Sequence, residues 1–164
     1  MHTSPPFSAA PQYRGHGLLA GCALTSFALA LLHVACIFTG EATARFFTAP
    51  RFVLEMIRNG SWLIIPVCLV IVAVLGTFGL YAWSAAGRMR RLPAVRGGLL
   101  AVGAIYTLRG LALIPQAIVM LKHPGVFPWQ APVFSLVALA LGLAHLAGAK
   151  QRWRELAPRR LSTS

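Results

Sequence analysis

Residues 97–121 read GGLLAVGAIYTLRGLALIPQAIVML, an apolar run with a single charge, Arg109, at its midpoint. At about 1.5 Å rise per residue, a helix of this length crosses a hydrocarbon core of about 30 Å. Three more runs of the same kind, 17–39, 61–86 and 131–149, contain no Lys, Arg, Asp or Glu at all. In lipid every backbone amide must be paired within its own element, so four neighbouring runs of this length are satisfied as helices. The expected fold is an all-α integral membrane protein: a left-handed four-transmembrane-helix bundle with crossings of about 20°. Residues 1–16 read as a flexible tail, 17–149 as the helical domain and 150–164 as a basic tail.

Composition points the same way. A water-soluble domain of 164 residues with 57% hydrophobic and 11% charged residues would expose more apolar surface than a monomer tolerates. The net charge of +12 raises the question of a nucleic-acid partner. However, the Lys and Arg residues sit in short segments between and after the apolar runs instead of on one polar face, so no nucleic-acid partner is expected.

The distribution of those cations sets an orientation. Arg14, the segment with Arg88, Arg90, Arg91 and Arg96, and the tail with Lys150, Arg152, Arg154, Arg159 and Arg160 share one side. Only Arg45, Arg51, Arg58 and Lys122 lie on the other. The positive-inside rule therefore places both termini in the cytoplasm of a bacterial-type inner membrane. Arg88, Arg90, Arg91, Lys150, Arg152 and Arg154 are then expected to meet anionic headgroups, each nearby cation being worth about 1 kcal/mol. Ala42-Thr43-Ala44 has the small residues of a signal-peptidase site. The apolar run before it is much longer than the roughly 7 to 15 residues of a signal h-region, so the first run is read as a span.

The first loop, 40–60, carries a second signal. After Pro50, the residues Phe52, Val53, Met56 and Ile57 recur at helical spacing while Arg51, Glu55 and Arg58 point elsewhere. This predicts a short interfacial helix, with Pro50 as its start signal and Asn59-Gly60 as its stop. Tyr81 and Trp83 are expected in an aromatic belt, and Pro66 to bend the second span.

Arg109 requires a physical reason. A guanidinium at a helix centre costs about 2.5 to 3.5 kcal/mol on insertion scales, and from mid-depth it has the farthest to reach for water. Burial within the bundle, among acceptors, is therefore expected. Ala112 and Gln116 follow Arg109 on one helical row, Val102 and Ile105 precede it, and Tyr106 stands one turn before it. Pro115 cannot donate to the carbonyl of Leu111 and should kink the helix there. No span contains an acid, which leaves Glu41, Glu55, Gln116, backbone carbonyls or an anionic ligand as partners. In the first run Cys22, Ser26, Ala30 and His33 share a face; in the fourth, Ser135, Ala138, Gly142, His145 and Ala149 do. Both histidines are thus expected to face inward, with His33 the nearer to Arg109.

Enzymatic signatures are missing: there is no GxSxG, HExxH or phosphate-binding glycine loop, and Glu41, Glu55 and Glu155 are the only acids. Cys22, Cys36 and Cys68 lack CxxC spacing, and two histidines at different depths do not make a ligand set, so neither cofactor nor metal is expected. Two readings follow. One is a non-enzymatic accessory or scaffold protein that packs with a membrane-protein partner or a second copy, Arg109 serving as a buried polar lock. The other is a small oligomeric transporter or channel for an anion or anionic headgroup, lined by Arg109, Gln116 and His33, with Tyr106, Glu41, Glu55 and His145 as further polar candidates.

Overall fold

In a computed structural model the described residues, 13–156, are all helical apart from turns. Residues 1–12 and 157–164, with most of the expected flexible tail and with Arg159 and Arg160, lie outside the described residues. The elements are α1 Tyr13–Thr39, α2 Glu41–Phe46, α3 Arg51–Arg58, α4 Ile64–Ala85, α5 Val95–Leu111, α6 Leu113–Lys122 and α7 Gln130–Gln151. Four stretches, His16–Thr39, Ile64–Ala85, Val95–Lys122 and Gln130–Gln151, are long and apolar enough to cross a membrane. Helix α1 packs along α4 and α5 along α7, and the two pairs meet through α1 with α7 and α4 with α5. One end of the molecule carries α2 and α3 (the loop end). The other carries the α4–α5 connection and the last turns of α7 (the tail end).

Large apolar side chains lie on the outside of the bundle and small or polar ones inside. Leu24, Leu31, Phe38, Leu69, Leu108 and Leu121 project outward, while Ser26, Ser135 and His145 are fully buried. Where water is the solvent, burial of large apolar groups drives folding; here the interior is built from small and polar residues that let helices approach. Ala23, Ala82, Ala85 and Ala149 are completely enclosed. Three glycines let α5 and α7 approach closely. A Cβ on Gly142 would overlap Thr107, one on Gly110 would overlap Leu139, and one on Gly103 would overlap Leu146. Gly79 is covered by the ring of Phe27, which also meets Trp83 edge-on with centroids 6.5 Å apart. Tyr81 packs over Gly98. Both Tyr81 and Trp83 thus have partners on neighbouring helices as well as their expected place near a helix end.

The interfacial helix expected after Pro50 is α3, ending at Asn59 with Gly60 in the left-handed region at φ 61°. Helix α2 has no apolar period and was not legible; it starts after Gly40, whose φ 70° and ψ −149° only glycine adopts readily. Its end packs against the fourth span, Phe46 and Phe47 lying 6.2 and 5.5 Å from the ring of Phe134. Pro66 falls in the first turn of α4, where its missing N–H has no intrahelical acceptor to leave empty, and α4 runs on without a break to Ala85. The third span is divided at Ala112, three residues before Pro115, because the pyrrolidine ring displaces the preceding turn.

Replacing Gly142 by Val is expected to destabilise the α5–α7 contact by about 1 to 3 kcal/mol, the ordinary cost of overfilling a packed site. A Cβ on Gly76 meets no atom, so Gly76→Ala should leave stability unchanged or slightly raised. Unfolding in mixed detergent micelles, followed by helical circular dichroism, separates the two outcomes.

Candidate functional site

The break at Ala112 is bridged by side chains. Arg109, on the last turns of α5, donates from Nη1 to Ser135 Oγ at 3.0 Å, and Ser135 donates in turn to Gln116 Oε1 on α6 at 2.8 Å. One buried hydroxyl of α7 therefore joins both halves of the interrupted span. Each group has the right polarity: a guanidinium only donates, an amide oxygen only accepts, and a hydroxyl does both.

Arg109 itself is exposed, which corrects the expectation of a buried guanidinium. The reason lies in its neighbour. Gly110 takes the position against the backbone of Leu139, and two consecutive helical residues cannot face the same contact. Arg109 stands on the flank of the bundle and reaches back to Ser135 with one nitrogen. The rest of its fork can bind an anionic group.

The other polar candidates are distributed elsewhere. His33 donates from Nδ1 to the Leu29 carbonyl of its own helix, 2.8 Å away. Glu41 Oε1 accepts from Arg45 at 2.6 Å and from Arg58 at 2.7 Å, tying α2 to the end of α3, while Glu55 is exposed. Tyr106 is buried, and its hydroxyl lies 3.1 Å from Ser26 Oγ on α1. Its ring stacks on His145 of α7 at 5.5 Å and 30°, and meets Phe78 of α4 edge-on at 5.4 Å. Each long helix thus contributes one residue to a central cluster. His145 donates from Nδ1 to the Leu141 carbonyl at 2.8 Å, leaving Nε2 without a partner among the described residues. The sequence placed Ser26 and Ser135 on the inward faces; their partners were not legible, since a serine hydroxyl reveals nothing of what lies across the helix gap.

A third cluster closes the tail end. The carbonyls at the end of α4 are free of intrahelical partners, and two side chains cover them: Arg152 donates to the carbonyl of Ala85, and His16 Nδ1 to that of the following Ala86 at 2.9 Å. Arg152 is only 8% exposed and also binds Glu155 Oε2 at 2.7 Å. It therefore faces the bundle end and not the surroundings, unlike Arg88, Arg90, Arg91, Lys150 and Arg154, which are exposed. The Arg152 guanidinium beside it holds the Glu155 carboxyl below the usual carboxylate range. Arg96 lies over the ring of Trp153, 4.6 Å from its centroid, and donates to the Trp153 carbonyl.

Fold and site together define an all-helical chain with four helices long and apolar enough to cross a membrane and a guanidinium midway along the third. No protein-family model, curated protein or solved structure matches the chain. Among the described residues, no three His, Cys, Asp or Glu side chains are placed to share a metal ion. The guanidinium nitrogens of Arg109 not engaged by Ser135 suit the holding of an anionic group.

Ser135→Ala is expected to cost between about 0.6 and about 1.7 kcal/mol, the range for interhelical hydrogen bonds in lipid. Tyr106→Phe should act similarly and additively, because the two clusters share no group; a double-mutant cycle in micelle unfolding checks both. Glu155 holds its proton less tightly in the folded chain than when unfolded. Its contribution is thus present at neutral pH and lost as pH falls through the lowered value. Glu155→Gln should release the Trp153 segment at neutral pH, read as a red shift of Trp153 emission in a chain whose other tryptophans are Phe.

Proposed function

We propose that this chain is a multi-pass protein of a bacterial-type inner membrane with both ends in the cytoplasm, acting as a non-enzymatic accessory or scaffold whose third and fourth spans are locked through Arg109. On this reading the tail end is cytoplasmic and the loop end is outside. The observation that carries it is the Arg109–Ser135–Gln116 relay: one hydroxyl joins α5, α6 and α7 and fixes the angle of an interrupted span. An accessory protein requires a rigid membrane surface of defined shape, and this relay, with the four-helix cluster around Tyr106, supplies it. The exposed Arg88, Arg90, Arg91, Lys150 and Arg154 form a cationic rim for anionic headgroups. Arg152 serves the bundle end instead.

The exposure of Arg109 favours a second reading, an oligomeric conduit in which Arg109 and Gln116 draw an anion or an anionic headgroup into the membrane. His33 takes no part in such a lining, being bonded to its own helix.

Purified protein in proteoliposomes is expected to conduct neither chloride nor phosphate above empty vesicles. Arg109→Leu should lower the folded fraction and change no flux. Anion flux that disappears in Arg109→Leu or Gln116→Leu, with the fold intact, would select the conduit.

A further inference from the structure

The helical row that contains Arg109 is not uniformly enclosed. At its tail end Gly98 lies under Tyr81 of α4, and Val102 is 3% exposed. One turn on, Ile105 is 50% exposed, and Arg109 after it is exposed as well. This row of the third span is thus closed at Gly98 and Val102 and open from Ile105 onward. Ile105 is the apolar residue next to Arg109 on this row; round the helix Leu108 is 73% exposed, and beyond the break Ile114 is 58% exposed. The open row thus carries one charge among exposed apolar residues.

Among the described residues that charge has no ion-pair partner. The long helices contain no acid; Glu41 is shared by Arg45 and Arg58, Glu155 is taken by Arg152, and Glu55 is exposed on α3 at the loop end. A second copy applied to this flank would bring another Arg109 and no carboxylate, so like charges would meet. A lipid phosphate starts from the ends of Val95–Lys122, about 20 Å from Arg109 at about 1.5 Å per residue. A carboxylate borne by a spanning helix sits at that depth from the start, and it matches the planar fork of Arg.

Resting on the accessory reading, we infer that the open flank of Arg109 receives a transmembrane helix of another protein, one carrying Asp or Glu at mid-depth. The partner's apolar face lies on Ile105, one turn before Arg109, and its carboxylate takes the guanidinium nitrogens that Ser135 leaves free. Each helix then covers a polar group that neither could leave in hydrocarbon alone.

The test uses the full chain in its native membrane, with a photo-cross-linking benzoylphenylalanine at Ile105 and adducts mapped to the peptide. The expected adduct joins a foreign spanning segment with Asp or Glu within one helical turn of the linked residue. Arg109→Lys, which keeps the charge, should retain it and Arg109→Met should lose it, each variant being checked for monomer elution in mild detergent. Replacing the partner's acid by Leu should lose the same adduct in the unaltered chain. Adducts to lipid alone, to a second copy or to a segment without an acid would overturn the inference, as would an adduct indifferent to Arg109→Met. Arg109-dependent anion flux would defeat the accessory reading itself, whereas lipid-only adducts from a flux-silent protein defeat the partner alone.

Discussion

A guanidinium halfway along an apolar helix must find hydrogen-bond acceptors, and much of the surrounding structure answers that demand. Arg109 cannot turn wholly into the bundle, because the adjacent Gly110 holds the contact with Leu139. It therefore lies on the flank and reaches Ser135, whose hydroxyl passes the interaction on to Gln116. The interruption at Ala112 lets α5 and α6 both meet α7 around that hydroxyl. Pro115 creates the break, and the relay stabilises its geometry.

The same economy of polar groups recurs at two other depths. Near the middle, Ser26, Tyr106, Phe78 and His145 draw the four long helices together around one ring system. At the tail end, Arg152 and His16 cover the carbonyls that α4 leaves unpaired, and Glu155 keeps Arg152 in place. Apolar burial contributes little specificity where the surroundings are as apolar as leucine, so small residues and directed hydrogen bonds determine which faces meet.

The long helices were legible because length and hydropathy are properties of a segment by itself. So was α3, whose apolar residues repeat at helical spacing before Asn59 and Gly60. Helix α2 was not: Glu41, Ala42, Ala44 and Arg45 favour helix, but six residues are too few to show an apolar period or to form a helix unaided. The inward faces of the first and fourth spans correctly collected Ser26, Ser135 and His145. Pairing was beyond reach: spacing along one helix places Tyr106 near Arg109, whereas its hydroxyl reaches across the bundle to Ser26. His33 and Glu41 were reasonable partners for a lone cation, but each is taken by a nearer group, the carbonyl of Leu29 and the arginines of the first loop. Arg152 looks like its neighbours in the basic tail; only the end of α4, distant in sequence, distinguishes it.

If the third span carries Arg109 to the middle of a bilayer, the depth of spin labels along that span in reconstituted membranes will show it. Labels at Gly97, Ala101, Leu108, Ile114 and Leu121 are compared by their relative collision rates with oxygen and a water-soluble nickel chelate. Depth should rise to a maximum at Leu108 and fall toward both ends. A flat profile at headgroup depth, or a maximum at either terminus of the segment, would contradict it.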